Sequence, residues 1–558
     1  MIAQKAFDRI FHSSLIVLAA IYCIGMRMHL MDIDSAQYAL ISKEMFLSGN
    51  YLQVHCAGAD YLDKPPLLFW ISCLSFEIFG IHDWAFRLPS VLVLAFGIYS
   101  VYRYAKIYYP ENTAKLASLI MASTCAAYLM THDVRTDTML TGWVMFSIWQ
   151  LAEFNNNQKF KNIFFAAIGI GLAMLTKGPI GLIIPVTAFS FEFIYKREWR
   201  KFFRWQYLVA LLIIALMLAP MSYGLYQQFD LHPEKEVYSM KGPSGLRFFY
   251  WTQSFGRITG ESYWNNNPDP FFLFHSFLWS FLPWTVFFLP SIYSEVKAKI
   301  KNFKSPSTEA ISVGGFILVL LFFSRSKYQL PHYTFCIHPL AAVITAKYLG
   351  QRFFSEQNLN SFRITYRVHV FVMSAILILC FILIYFVFPA GLIQYLIFFS
   401  ALVAFIYFNV SKKNDLVRKT IFVTLIPCFV LTFMLNTHFY PTLFSYQSGS
   451  NAGKDLGAIQ KDGKQLMIFA APYNFSLEFY SNAKILFYNN SFNCKLQLMN
   501  KNTYVLVDSA NLAYVKSMKP GARILKKYPD FSVTQLSPQF LDPNTRAKAI
   551  QWVNLVGY

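Results

Sequence analysis

Between residues 13 and 437 the sequence repeats one feature, an apolar run of about 17 to 25 residues, the length a helix needs to cross a ~30 Å hydrocarbon core. Only 14% of the 558 residues are charged and 55% are hydrophobic, against roughly 25% charged in soluble domains. A chain this apolar is expected to fold as an α-helical polytopic membrane protein. Thirteen candidate spans are read at 13–31, 87–108, 113–130, 137–152, 162–175, 178–195, 205–224, 271–291, 308–324, 332–349, 368–388, 390–410 and 418–437. The first run follows two basic residues without a small-residue cleavage site and is read as a retained span.

After residue 440 the pattern changes. Residues 441–558 are polar, with short β-rich runs at 465–471 and 503–508 between helix-like stretches, and predict a soluble α/β domain beside a membrane domain of residues 1–440.

The run at 66–80 is too short to cross and carries Glu77. If it lies along the surface, the segments 1–12, 103–115, 153–162, 196–204, 292–307, 347–367 and 411–419 all fall on one side and together hold 24 Lys and Arg. Cytoplasmic loops concentrate these residues, so that side is expected to be the cytoplasm. The run is therefore read as an interfacial helix. The N-terminus is then cytoplasmic and the C-terminal domain lies outside, in the periplasm of a bacterial inner membrane. The net charge of +20 follows from this topology and does not call for nucleic acid as a partner. No Walker loop is present, and Gly169-x-Gly171 falls inside a span, which suits helix packing rather than nucleotide binding. The eight cysteines are scattered without a CxxC pair and carry no expected role.

In this topology two long segments, 32–86 and 225–270, are external, and loops of such length usually carry function. Asp34 stands just past the membrane end of the first span, where a carboxylate is costly unless it is wet, paired or used. Its bland reading is an N-terminal residue of the helix that starts near Ser35. Cations gather on the same face against the positive-inside trend: Lys64, Arg87, Arg135, Lys177, Arg257, Arg325 and Lys327. Some are interface anchors, but a cluster of this kind suits a lipid phosphate bound through charge-assisted hydrogen bonds. His132-Asp133-Val134-Arg135-Thr136-Asp137 adds acids and bases at the same depth. Asp137 there also suits a helix N-terminus.

Read in order, these segments resemble the aminoarabinose lipid A transferases and the protein O-mannosyltransferases, GT-C glycosyltransferases that use lipid-phosphate sugars. Asp34-Ser35-Ala36-Gln37-Tyr38-Ala39 is similar to the family's Asp-Glu-x-x-Tyr-Ala segment, with Ser35 in the place of the glutamate, so only the leading catalytic aspartate carries over, as Asp34. Asp63-Lys64-Pro65-Pro66 resembles the Glu-Lys-Pro segment, in which the lysine meets the lipid phosphate. Asp137 falls at the aspartate of the third external turn, and Thr176-Lys177-Gly178-Pro179 matches the Thr-Lys-Gly turn. The stretch from Phe255 through Arg257 to Gly260 resembles the arginine-bearing stretch of the second loop. Ser326-Lys327-Tyr328-Gln329-Leu330-Pro331-His332-Tyr333 resembles Lys-Leu-Pro-x-Tyr with two residues added.

The resemblance implies a GT-C fold and transfer of a sugar from a polyprenyl-phosphate donor to an envelope glycolipid, of lipid A or lipopolysaccharide type, or to a protein. Asp34 and Asp137 are then the expected catalytic residues and Lys64, Arg257, Lys327 and Tyr333 the donor-phosphate contacts, with Asp63, Arg135 and Lys177 in support. A histidine that is a metal ligand in some members is replaced here by Trp264 or Asn265. A divalent metal ion is therefore left open, with Asp63 its ligand if one binds. A glycan ligase and a secondary transporter are the competing readings; transporter folds tend to show internal repeats and broken midplane helices, which the sequence lacks.

Overall fold

The computed structural model describes residues 4–262, 264–303, 309–354, 359–413, 415–459, 465–481, 485–488, 503–518 and 520–557. Parts of four segments used in the charge count, residues 1–3, 304–307, 355–358 and 414, lie outside the described residues. Seven helices among these residues are long and apolar enough to cross a membrane: Lys5–Gly25, Asp83–Tyr108, Phe160–Lys177, Gln206–Asp230, Phe362–Val387, Leu392–Val410 and Leu416–Phe444. The chain is a multi-span membrane protein.

The other expected spans also fall on helices, and their departures from apolarity have local causes. The run at 113–130 forms two helices, Glu111–Ala122 and Cys125–His132, bent by 49°, which together are long and apolar enough for one broken span. Ser123 Oγ donates back to Leu119 O at 2.7 Å, and Thr124 Oγ1 caps the second helix by accepting from Ala127 N at 3.2 Å. Hydroxyls satisfied this way let a helix break at membrane depth. The run at 271–291 is likewise divided, into Phe272–Ser280 and Thr285–Lys301 around Pro283. The helix Thr136–Asn157 is buried on most of its surface, polar residues included, because neighbouring helices enclose it. Two glycines allow that enclosure. A Cβ at Gly97 would stand 2.7 Å from Gly142 Cα, and one at Gly142 would stand 2.5 Å from Val93 O. The backbones of Asp83–Tyr108 and Thr136–Asn157 thus touch, as small residues permit in membrane helices.

The run at 66–80 forms the helix Leu67–Phe79, 13 residues long. It buries Leu68, Phe69 and Phe76 against the helix Asp34–Ser48 and exposes Leu74 and Ile78. Short hairpins at His55–Cys56/Ala59–Asp60 and Glu236–Val237/Met240–Lys241 occupy the two long loops. They are tied together, since Lys235 Nζ lies 2.9 Å from Asp60 Oδ2 and Gln228 Nε2 donates to Val54 O at 2.8 Å.

The last membrane helix runs through Tyr440–Phe444 and Ser448–Ile459 into a five-stranded sheet. Its strands are β1 (Gln465–Phe469), β2 (Ile485–Tyr488), β3 (Thr503–Asp508), β4 (Arg523–Asp530) and β5 (Gln551–Gly557), in the order β2-β1-β3-β5-β4. β1 pairs parallel with both β2 and β3, while β5 runs antiparallel between β3 and β4. A separate apolar core that includes Leu466, Ile468, Leu506 and Leu555 holds it.

Candidate active site

A cavity of about 710 Å³ opens where the first long loop, the turn at 132–137, the second long loop and the segment 328–335 meet. Asp34, Asp63, Lys64, Arg135, Asp137, Lys177, Arg257 and Tyr333 all line it. Of the expected site residues, Lys327 alone does not line it. Its side chain is exposed, its amide donates to Arg257 O at 2.8 Å, and its ammonium lies against Gly260. The Lys327 backbone is thereby tied to the backbone that carries Arg257.

Local structure explains each placement. Asp34 is the first residue of the helix Asp34–Ser48. Arg135 precedes the helix Thr136–Asn157 and divides its guanidinium between two acids, Nη1 donating to Asp34 Oδ2 and Nε to Asp133 Oδ2 at 2.7 Å. Asp34 is therefore held in direction by a residue 101 positions away. Lys177 ends the helix Phe160–Lys177, which stops because Gly178 takes φ +81°, a left-handed conformation that favours glycine. The lysine then points inward. Its Nζ is 2.6 Å from Asp137 Oδ1 and 4.2 Å from the centre of the Tyr333 ring. Asp137 is only 2% exposed, and His332 Nε2 stands 3.8 Å from its other oxygen.

Lys64 and Arg257 complete a cationic wall. Lys64 Nζ is 2.6 Å from Asp63 Oδ2, and Arg257 Nη2 is 3.8 Å from Asp63 Oδ1. Burial alone would raise the Asp63 carboxyl, but Lys64 and Arg257 outweigh it and hold the group below the usual carboxylate range. Gln253 Nε2 also donates to Asp63 Oδ1 at 3.0 Å. Arg257 donates to Tyr333 Oη at 2.7 Å, and its Nε is buried without a partner among the described residues. A buried guanidinium donor with no acceptor is suited to an oxyanion.

From these cations a narrower recess of about 70 Å³ continues between Leu140, Ile180, Phe322 and Phe323. The main cavity is also lined by Met31, Ile33 and Tyr440, and by Thr534 and Gln535 of the C-terminal domain.

Among the described residues no group of three or more His, Cys, Asp or Glu is spaced to hold a metal ion. Asp63, the expected ligand if a metal binds, faces Lys64 and Arg257, and such a setting attracts an anion rather than a cation. Arg87, read with the external cations, is 1% exposed and does not reach the cavity. It donates to the carbonyls of Met26, Met28, His29 and His132 at 2.5 to 3.1 Å, joining the end of the first span to the turn that bears Arg135. Gln253, Thr534 and Gln535 had no sequence signal.

Three comparisons bear on this site. Residues 63–223 match the family model described as dolichyl-phosphate-mannose-protein mannosyltransferase. Over 317 residues the chain is 26% identical to the undecaprenyl phosphate-alpha-4-amino-4-deoxy-L-arabinose arabinosyl transferase of Erwinia tasmaniensis, covering 56% of this chain and 54% of that protein. It is also 26% identical over 338 residues to the enzyme of the same name from Pseudomonas aeruginosa LESB58, covering 59% of this chain and 58% of that one. The aligned part thus spans little more than half the length of these relatives. The crystal structure of ArnT from Cupriavidus metallidurans bound to undecaprenyl phosphate superposes with a TM-score of 0.74 at 16% identity, over 99% of this chain and 98% of that chain. The apo form of the same protein gives 0.70 at 15% identity, over 97% of each.

Proposed function

We propose that this chain, which has the GT-C fold of ArnT and resembles the lipid-phosphate-sugar glycosyltransferases, transfers a sugar from a polyprenyl-phosphate donor to an envelope acceptor of the lipid A or lipopolysaccharide type. One observation carries the reading. Lys64, Lys177, Arg257 and Tyr333 surround a space fit for an oxyanion, and Asp34 lines the same 710 Å³ cavity.

A polyprenyl phosphate leaves well once its charge is stabilised, so the cationic wall supplies the electrostatic part of catalysis. Asp34, oriented by Arg135, accepts the proton of the attacking acceptor hydroxyl. Direct attack inverts the anomeric centre, because retention would need a second nucleophile on the opposite face. The recess beside Leu140, Ile180, Phe322 and Phe323 suits the first units of the polyprenyl chain. Asp137 acts through Lys177, whose ammonium it fixes. The acceptor enters past Tyr440, Thr534 and Gln535. In this reading the N-terminus is cytoplasmic and the cavity and C-terminal domain face the periplasm, a topology supported by the 24 Lys and Arg gathered on the other side.

Mass spectrometry of lipid A and other envelope glycolipids tests the proposal in cells lacking the gene, complemented with wild type or with Asp34→Asn. A sugar-sized increment that disappears in the deletion and returns only with wild type supports it. If Asp34→Asn restores the product, Asp34 is not the base. The family model matched by residues 63–223 carries the name of a protein mannosyltransferase, so unchanged glycolipids accompanied by lost protein glycosylation would move the acceptor from lipid to protein.

A further inference from the structure

The segment that carries Asp34 is gripped on both sides by the C-terminal domain, more than 400 residues away in sequence. Ahead of Asp34, Leu30 N donates to Tyr480 Oη at 2.8 Å, Gln447 Nε2 donates to Leu30 O at 2.8 Å, and Asp32 N donates to Gln447 Oε1 at 3.1 Å. Asp32 in turn accepts from Ser476, from its amide at 3.1 Å and from its hydroxyl. Tyr480 Oη donates onward to Asp83.

Behind Asp34, on the same helix, Lys43 is only 8% exposed. Its ammonium donates to the carbonyls of Glu478, Phe479 and Ser481 at 3.2, 2.7 and 2.9 Å. These carbonyls form the C-terminal end of the helix Phe475–Tyr480, the end at which a helix leaves carbonyls unpaired and favours a cation. Phe479 packs into the apolar cluster that holds Tyr38 and Ala39.

Lys43 does not line the cavity, and no carboxylate lies within ion-pair distance of it among the described residues. A lysine buried at this cost, with three carbonyls for partners, is explained by what it joins.

We infer that the helix Phe475–Tyr480 sets the position of Asp34, with Lys43, Ser476 and Tyr480 as positioning residues. The C-terminal domain is then a working part of the transfer step and not a cover over it. The inference rests on the reading of Asp34 as the base. Fixing the backbone at 30–32 and at Lys43 removes rotation and sliding of the Asp34 helix. Displacement of about 1 Å at a reacting group costs on the order of 100-fold in rate.

The test uses the full chain in nanodiscs, with Ser476→Ala, Lys43→Met, Lys43→Arg and Asp34→Asn. The readouts are kcat, donor KM, the Kd for a polyprenyl phosphate and Tm. For Ser476→Ala and Lys43→Met the expected result is a fall in kcat of roughly 10- to 100-fold, with phosphate Kd and Tm close to wild type and partial rescue in Lys43→Arg. Should Lys43→Met not fold, Ser476→Ala alone carries the test. Wild-type kcat in these variants overturns the inference, and so does a loss of kcat matched by equal losses of phosphate binding and Tm. An inactive Asp34→Asn beside fully active Ser476 and Lys43 variants removes the positioning role and spares the base. An active Asp34→Asn removes both.

Discussion

Arg257 donates to Tyr333 Oη at 2.7 Å across 76 residues of sequence, so the second long loop and the segment before the helix His338–Phe354 present one surface to whatever occupies the cavity. Arg257 keeps a buried Nε donor in reserve beyond this bond. Hydrogen bonds to a charged group contribute about 1.5–3 kcal/mol. Arg257→Ala is therefore expected to weaken binding of a polyprenyl phosphate by roughly 10- to 100-fold. Arg257→Lys should recover little of this, because an ammonium cannot reproduce the planar fork. Lys327→Ala, at an exposed side chain outside the cavity, is expected to stay within about threefold of wild type, since exposed charges contribute little. Titration of the purified variants with the lipid phosphate, by tryptophan fluorescence, decides between a direct and a bracing role for Lys327.

Asp137 and Lys177 form a buried pair at 2.6 Å. Removing one partner of such a pair strands the other charge at a cost of about 3–5 kcal/mol, whereas removing both costs less. Asp137→Leu and Lys177→Met are each expected to lower Tm more than the double variant does. Asp137→Asn should raise donor KM more than it lowers kcat, because its carboxylate is engaged by Lys177. A fall in kcat alone would instead support the catalytic role that its place in the sequence motif suggests.

What could be read in the sequence was what is encoded locally. Span length and apolarity located the seven helices that are long and apolar enough to cross a membrane, and the run at 66–80 stood apart from them by its shortness. The order of the motifs assigns Asp34, Lys64, Arg257 and Tyr333 to one site, and all four line the cavity. The helix break at Ser123 and Thr124 was hidden, since hydroxyls bonded to their own helix leave hydropathy almost unchanged. Long-range partners were hidden for a different reason. Nothing near Arg87 in sequence announces four carbonyls from two distant segments. Nothing near Lys43 points to a helix end 435 to 438 residues away.

The backbone contact of Gly97 with Gly142 fixes the helix whose first turn holds Asp137. A side chain at Gly142 meets Val93 O at 2.5 Å, a backbone atom that cannot rotate away. Gly142→Val is expected to destabilise the protein by about 1–3 kcal/mol, the range for overpacking a filled contact. Gly521→Ala, where an added Cβ meets nothing within 4 Å, is the matched control and should leave Tm unchanged. Thermal unfolding in detergent with both variants provides the comparison, and equal Tm values would show that the two helices can separate freely.

Asp32 supplies the pH dependence of the grip on the Asp34 segment. Burial pushes its carboxyl up from 3.8 to about 6, against the two hydrogen bonds from Ser476 that favour the ionised form, and the nearby Asp530 adds to the rise. Asp530 is itself pushed up by burial and partly offset by Ser448. A group with a raised folded-state pKa contributes stability that is fully present below its unfolded pKa and is lost as pH climbs through the folded value. The contribution of Asp32 is thus expected to be largest below about pH 4 and to fade between about pH 4 and 6. Comparing the Tm of wild type with that of Asp32→Asn across pH 4 to 7 isolates this group from other carboxylates. The Tm difference between the two proteins should shift in favour of Asp32→Asn as pH rises through this window and then level off. A difference independent of pH would mean that Asp32 stays ionised throughout, held by Ser476 in spite of its burial.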